Sequence, residues 1–143
     1  MPVIEVMNYR LAWSELIKGA REEVEASTNE TDAYEIAQWV LPLAFKRYLF
    51  ACYMDSIRQQ YGTPWEPLAS RAAAEMMVTH LHKWKPEEVR DLSDQDLMLS
   101  LHKELAKFKL TPEAMDACKG VMRNNELSEY IDHHQPSSDS SAN

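Results

Sequence analysis

From Asn8 onward the apolar residues recur with the period of a helix. Trp13, Leu16, Ile17, Ala20 and Val24 fall at i, i+3, i+4, i+7 and i+11, while Glu15, Lys18, Glu22, Glu23 and Glu25 take the opposite side. This predicts a first amphipathic helix with one buried stripe, preceded by an arm over residues 1–7 that Val3, Ile4 and Val6 favour as extended. Gly19 inside it costs about 1 kcal/mol relative to alanine, which implies close helix packing or simple tolerance. The segment 27–32 (STNETD) is rich in cap formers, and Asp32 with Glu35 three residues on resembles a capping box that opens a second helix running to about Tyr61. Gly62 suits the left-handed position just past its end.

That second helix carries the most apolar stretch of the chain, residues 38–57 (QWVLPLAFKRYLFACYMDSI). A membrane span needs about 20 mostly apolar residues. Here the apolar runs 39–45 and 48–54 are separated by Lys46 and Arg47, and two central cations cost about 5–7 kcal/mol on an insertion scale. The stretch therefore reads as the central helix of a protein core, covered on all sides, with Pro42 expected to kink or break it near Leu41. At 100° per residue, Ile36, Val40, Leu43, Arg47, Phe50, Met54 and Ile57 share one side, and Lys46 turns toward solvent. Arg47 is thus expected to point among apolar neighbours, where a guanidinium needs a carboxylate or several carbonyls. It is a candidate buried ion pair, or an anion site if it faces an open cleft.

Thr63, Pro64 and Glu66 combine an N-cap, a proline at the first helical position and a glutamate at the third, so a third helix is expected from Thr63, or from Pro67, to about Trp84. Its broad face holds Ala69, Ala72, Ala73, Met76, Met77, His80, Leu81 and Trp84. Lys85 and Pro86 end it, and a short turn of helix follows over residues 86–92. Ser93 with Asp96 opens the next helix, whose apolar row is Leu97, Leu101, Leu105 and Phe108 with Met98 beside it. Thr111 and Pro112 start another that buries Met115, Cys118, Val121 and Met122. Asn124 and Asn125 break it or cap a last short helix bearing Leu127, Tyr130 and Ile131. The elements predict an all-α fold, a compact single-domain bundle of about five to six helices with short connections over residues 1–132. The central helix spans 32–61, and residues 133–143 form a disordered polar tail with His133 and His134 solvated.

The chain has 143 residues, a formal net charge of −8 and only three glycines. Residues 1–35 are acidic, 36–85 are mildly basic, and 86–143 are acidic again. This argues against a general nucleic-acid or anionic-membrane surface. No secretory signal is visible at the N-terminus, and the two cysteines, Cys52 and Cys118, lack a CxxC or Cys/His spacing. Two buried thiols in a reducing, cytoplasmic compartment follow from that pattern.

Candidate chemistry is sparse. His80 and His82 would share a face on a strand, but on a helix they diverge by about 200° and cannot share one ion. Arg71 and Glu75, at i and i+4, suggest a surface ion pair. His102 lies at the edge of an apolar face. Residues 97–123 could imitate a helix–turn–helix with Lys107, Lys109, Lys119 and Arg123 on phosphates, yet Glu113 and Asp116 occupy the start of the recognition helix. There is no Walker loop, GxGxxG, GxSxG or HExxH. The reading that follows is a non-enzymatic acidic helical protein without a cofactor or catalytic and metal-ligating residues, acting through a protein partner or as a homo-oligomer. It fits an adaptor, an inhibitor or immunity-type partner, or a small assembly subunit. Eight methionines and four tryptophans suit adaptable contact surfaces, and Tyr61, Trp65 and Trp84 are the candidate interface residues. Two alternatives belong to other classes. One is an acidic mimic of nucleic acid built on residues 15–35 and 86–96. The other is a small metal-dependent enzyme using Glu75, His80, His82 or His102.

Overall fold

The computed structural model describes residues 5–136. Among them are eight helices and no strand: α1 (Tyr9–Ser27), α2 (Ala33–Tyr61), α3 (Ala72–His82), α4 (Pro86–Arg90), α5 (Asp94–Ser100), α6 (His102–Lys107), α7 (Pro112–Asn124) and α8 (Ser128–Asp132). The fold is all-α, as the apolar periodicity predicts. No helix among the described residues is long and apolar enough to cross a membrane. The chain divides into two compact units, residues 5–7 with 50–108, and residues 8–49 with 109–136. The helix α2 contributes to both.

Several helix starts are set by side-chain caps. The Asn8 carboxamide oxygen accepts from the Leu11 N–H, Asp32 from Tyr34, Ser93 from Asp96 and Thr111 from Ala114, each satisfying an amide that the first turn would orphan. The helix α2 stays helical through Pro42 and is buried on most of its circumference, at Val40, Leu41, Ala44, Phe45, Tyr48, Leu49, Phe50, Cys52, Tyr53 and Ile57.

In the second unit, Trp13 and Ala20 of α1 are buried, and the Trp13 ring meets Tyr48 edge-on at 5.2 Å between centroids. The Tyr48 hydroxyl donates to the Ala114 carbonyl at 2.6 Å, tying α2 to α7, while α7 also packs on α1 and α8. The core of α7 is Ala114, Met115, Cys118 and Met122, whereas Val121, expected inside, is exposed. A Cβ at Gly19 would meet nothing within 4 Å, so this glycine serves no close approach and is simply tolerated.

The solvated tail expected from residue 133 is not what residues 133 and 134 form. His134 is buried, its ring lies 5.8 Å from that of Phe45, and its carbonyl accepts from the Leu110 N–H. The His133 carbonyl accepts from Lys109 Nζ. The polar composition of the tail hid this return, because a single buried imidazole leaves no apolar period. Residues 137–143 of the expected tail and 1–4 of the expected arm lie outside the described residues.

In the first unit, α3 packs on α4 and α5. It starts at Ala72 rather than at Thr63 or Pro67, and it buries Ala73, Ala74 and Val78 while leaving His80 and Leu81 exposed. The face expected from a start near Pro67 is therefore rotated. Lys83, in the left-handed region at φ 59°, ends α3. The row from Leu97 to Phe108 is divided at Leu101 into α5 and α6, although Leu97, Met98, Leu101 and Leu105 all remain buried. No glycine has positive φ among the described residues, so Gly62 does not take the left-handed position expected of it.

Candidate functional site

Tyr61 ends α2, and the chain then makes a closed turn over residues 63–66. The Thr63 N–H donates to the Glu66 carbonyl at 2.9 Å, and the Glu66 N–H donates to both the Thr63 carbonyl and the Thr63 hydroxyl. The N-cap chemistry of Thr63 is thus real, but it closes a turn instead of opening a helix. Pro67 has no N–H to continue a helical ladder, and Leu68 and Ser70 take left-handed dihedrals at φ 59° and 54°. Leu68 turns inward and is 5% exposed, and its N–H donates to a Glu66 carboxylate oxygen.

Between these two fastenings, residues 64–67 face solvent. Trp65 is 84% exposed and Tyr61 is 55% exposed. A tryptophan side chain left this far out of the core forfeits most of the roughly 2–3 kcal/mol that burying a large apolar side chain supplies. Trp84, at 42% exposure, differs from them. Its ring stacks on His82 at 4.9 Å, and His82 Nε2 lies 2.8 Å from the Ser100 carbonyl, to which it donates. Leu99, the neighbour of Ser100, is exposed as well. In the second unit Trp39, expected within the covered apolar run of the central helix, and Tyr130, expected among the apolar residues of the last helix, are exposed, as is Tyr34, which the periodicity did not single out. Met98, Met115 and Met122 are buried and Met7, Met54, Met76 and Met77 half-buried, so none of the described methionines offers a fully exposed side chain.

Arg47 forms a two-point ion pair with Glu23 of α1, its guanidinium nitrogens 2.5 and 2.8 Å from the two carboxylate oxygens. Its side chain is 30% exposed and Glu23 57%, so the pair lies at the edge of the second unit rather than deep within it. The hydrogen bond to Arg47 holds the Glu23 carboxyl below its ordinary range and raises the guanidinium correspondingly. Lys46 points to solvent, as the helical wheel requires.

Arg71 does more than pair with Glu75. Its Nε lies 2.7 Å from Glu75, one terminal nitrogen 2.7 Å from Asp94, and the other donates to the Leu92 carbonyl at 2.6 Å. It ties the start of α3 to the start of α5. The buried Asp55 is matched by Arg58 one turn on, at 2.6 Å, and Arg58 and Gln59 both donate to the Glu5 carbonyl, which fastens residue 5 of the N-terminal arm to the end of α2. Nothing in the spacing of Asp55 marked it as a buried carboxylate.

The basic residues of the helix–turn–helix reading have local partners. Lys107 meets Glu104, Lys119 meets Asp116, Arg123 approaches Asp132 at 3.9 Å, and Lys109 holds the His133 carbonyl. The carboxylates of the mimic reading belong to α1, the loop after it and the first turn of α2 in one unit, and to α4, α5 and the turn between them in the other. Among the described residues no three His, Cys, Asp or Glu side chains converge as a metal site would require. Glu75 is engaged by Arg71, His82 by Ser100, and His80 faces solvent. Cys52 and Cys118 are buried thiols, and burial pushes the Cys118 thiol up to about 12, far from the range of a reactive thiolate.

What emerges is a set of exposed aromatic side chains, Tyr61, Trp65 and Trp84, and no metal-ligating cluster among the described residues. Comparison of the chain with protein-family models, curated proteins and solved structures returned no match.

Proposed function

We propose that this chain is a non-enzymatic protein that acts by binding another protein through Tyr61, Trp65 and Trp84. The observation that carries the reading is the 84% exposure of Trp65 on an otherwise fastened loop. Large aromatic side chains are the residues most often found as energetic anchors of protein interfaces, where truncating one costs about 2 kcal/mol or more. Glu23 and Asp94, two of the carboxylates that the nucleic-acid mimic would need, are engaged by Arg47 and Arg71, which favours the protein-binding reading over it. The two buried thiols suit a reducing cytoplasmic setting. An adaptor, an inhibitor or a small assembly subunit would each use such a surface.

The test compares the full chain with the Tyr61→Ala, Trp65→Ala, Trp84→Ala triple variant as bait in extract of the cell that makes it, read by quantitative mass spectrometry. Circular dichroism confirms equal helicity of the two baits. The reading expects a defined protein retained by the wild-type chain and lost from the triple variant. Equal retention by both baits, or no specific retention by the wild type, contradicts it.

A further inference from the structure

Resting on that protein-binding reading, we propose that the partner seats a short acidic segment, with apolar side chains between its carboxylates, on the patch made by Leu81, Trp84 and Leu99 and rimmed by Lys83, Lys85 and Lys103.

Two stretches of the first unit build this patch, and His82 ties them together. Its ring stacks on Trp84 at 4.9 Å between centroids, and its Nε2 donates to the Ser100 carbonyl at 2.8 Å, joining the end of α3 to the end of α5. Leu81 precedes one end of that bond and Leu99 precedes the other. Leu81 is 41% exposed, Trp84 42% and Leu99 71%. Three large apolar side chains thus stand in water around a single tie, and their apolar surface is what a partner removes from water.

The charge around them is local and of one sign. Residues 80–85 (HLHKWK) and 99–103 (LSLHK) hold Lys83, Lys85 and Lys103, all exposed, and no carboxylate. Elsewhere the chain pairs its cations: Arg47, Arg58, Arg71, Lys107 and Lys119 each have a carboxylate within 3.5 Å. Among the described residues no ion pair engages Lys83, Lys85 or Lys103. The carboxylates that follow in sequence have other work. Glu104 meets Lys107, and Glu87 and Glu88 stand in the first turn of α4, where a helix favours negative charge. Lys83 also ends α3 at φ 59°, a conformation that glycine takes without steric cost, so the chain carries a cation where backbone preference alone selects glycine.

Unpaired cations rimming exposed apolar side chains are complemented by carboxylates rimming apolar side chains. A protein segment carries both kinds of group at that spacing. A nucleic acid would run its phosphates past the lysines onto Glu87 and Glu88, and Leu81 and Leu99 give a base no ring to stack on.

The experiment pans a phage library of random 16-residue peptides against the full chain. The most enriched peptide is synthesised with a fluorophore, and its affinity is measured by anisotropy at low and high salt. The proteins are the wild type, Leu99→Ser, Lys83→Gly and the triple variant Lys83→Gly, Lys85→Ser, Lys103→Ser. Enriched sequences should be rich in Asp and Glu with interspersed Leu, Ile, Phe or Trp. Leu99→Ser should weaken binding about tenfold, and salt should weaken it for the wild type. Lys83→Gly should weaken it about threefold with an equal or higher Tm, which separates recognition from folding, and the triple variant by at least ~10-fold. Enriched peptides without an acidic excess, or less than twofold loss in both Leu99→Ser and the triple variant, overturn the proposal. Displacement of the peptide by a 20-residue oligothymidylate, or a wild-type dimer in sedimentation that Leu99→Ser dissolves, gives the patch to another occupant and also overturns it. Binding lost in Tyr61→Ala or Trp65→Ala but kept in Leu99→Ser overturns it while leaving the broader reading standing. No enrichment of any peptide overturns it as well, and the extract capture with the Tyr61, Trp65 and Trp84 variant then decides the broader reading on its own.

Discussion

The Tyr53 hydroxyl is buried with no hydrogen-bond partner, as is the Trp13 indole N–H, and each forfeits the hydration it had in the unfolded chain. Tyr53→Phe removes that loss, so it should leave the protein as stable or raise its stability by about 1 kcal/mol at neutral pH, measured by denaturant unfolding. Burial, then Glu104 and Tyr61, push the Tyr53 hydroxyl up to about 12, and burial pushes the Cys118 thiol to about 12. Both groups keep their protons longer folded than unfolded. Above about pH 9 for the thiol and pH 10 for the phenol, the folded chain therefore binds more protons than the unfolded one, and stability falls as pH rises. A Tm series from pH 8 to 11.5 should show this decline, and Tyr53→Phe should flatten its upper part. At the acid end the sign reverses. Glu23, held low by Arg47, contributes stability above its unfolded value and loses it as pH falls through the depressed one. Because the pair is exposed, Glu23→Gln should lower Tm only slightly, and less at high salt. The wheel turned Arg47 toward apolar neighbours, whereas its side chain is 30% exposed at the edge of the unit, paired with a residue 24 positions away on another helix, a distance that no local pattern encodes.

Helix starts were legible where one side chain reaches an amide two or three residues ahead, as at Asn8, Asp32, Ser93 and Thr111. The start of α3 was not, because the same local bond at Thr63 serves a turn equally well. What decides between them is the pair of left-handed residues at 68 and 70 and the burial of Leu68, both imposed by tertiary packing. The division at Leu101 was equally hidden, since its apolar row continues across the break. At the other end of α3, Lys83 occupies a left-handed position that glycine takes without steric cost. Lys83→Gly should therefore raise stability by roughly 0.5–1 kcal/mol, visible as a higher denaturant midpoint at unchanged slope. Arg71→Lys should do the opposite, since one ammonium cannot replace three guanidinium contacts to Glu75, Asp94 and the Leu92 carbonyl; a loss of about 1–2 kcal/mol is expected.

For the molecule as a whole, apolar periodicity was enough to establish the all-α class, since alternating strand patterns are lacking and the helical stripes are long. It did not reveal that the chain divides into two compact units, because the apolar run of α2 continues unbroken across the division. Both thiols are buried, so a thiol reagent should react with neither in the folded protein and with both after unfolding, a direct count by absorbance. The outward aromatic group was legible in part. Tyr61 and Trp65 flank a glycine and a proline at a helix end, where periodicity makes no demand for burial, whereas the stacking of Trp84 on His82 required the fold. Binding through this group remains the central claim. Its most direct measurement is the hydrogen-exchange footprint of the full chain with its bound partner. The account predicts new protection over residues 60–68 and around Trp84. Protection confined to α1, α7 and α8, with the 63–66 turn exchanging as in the free chain, would contradict it.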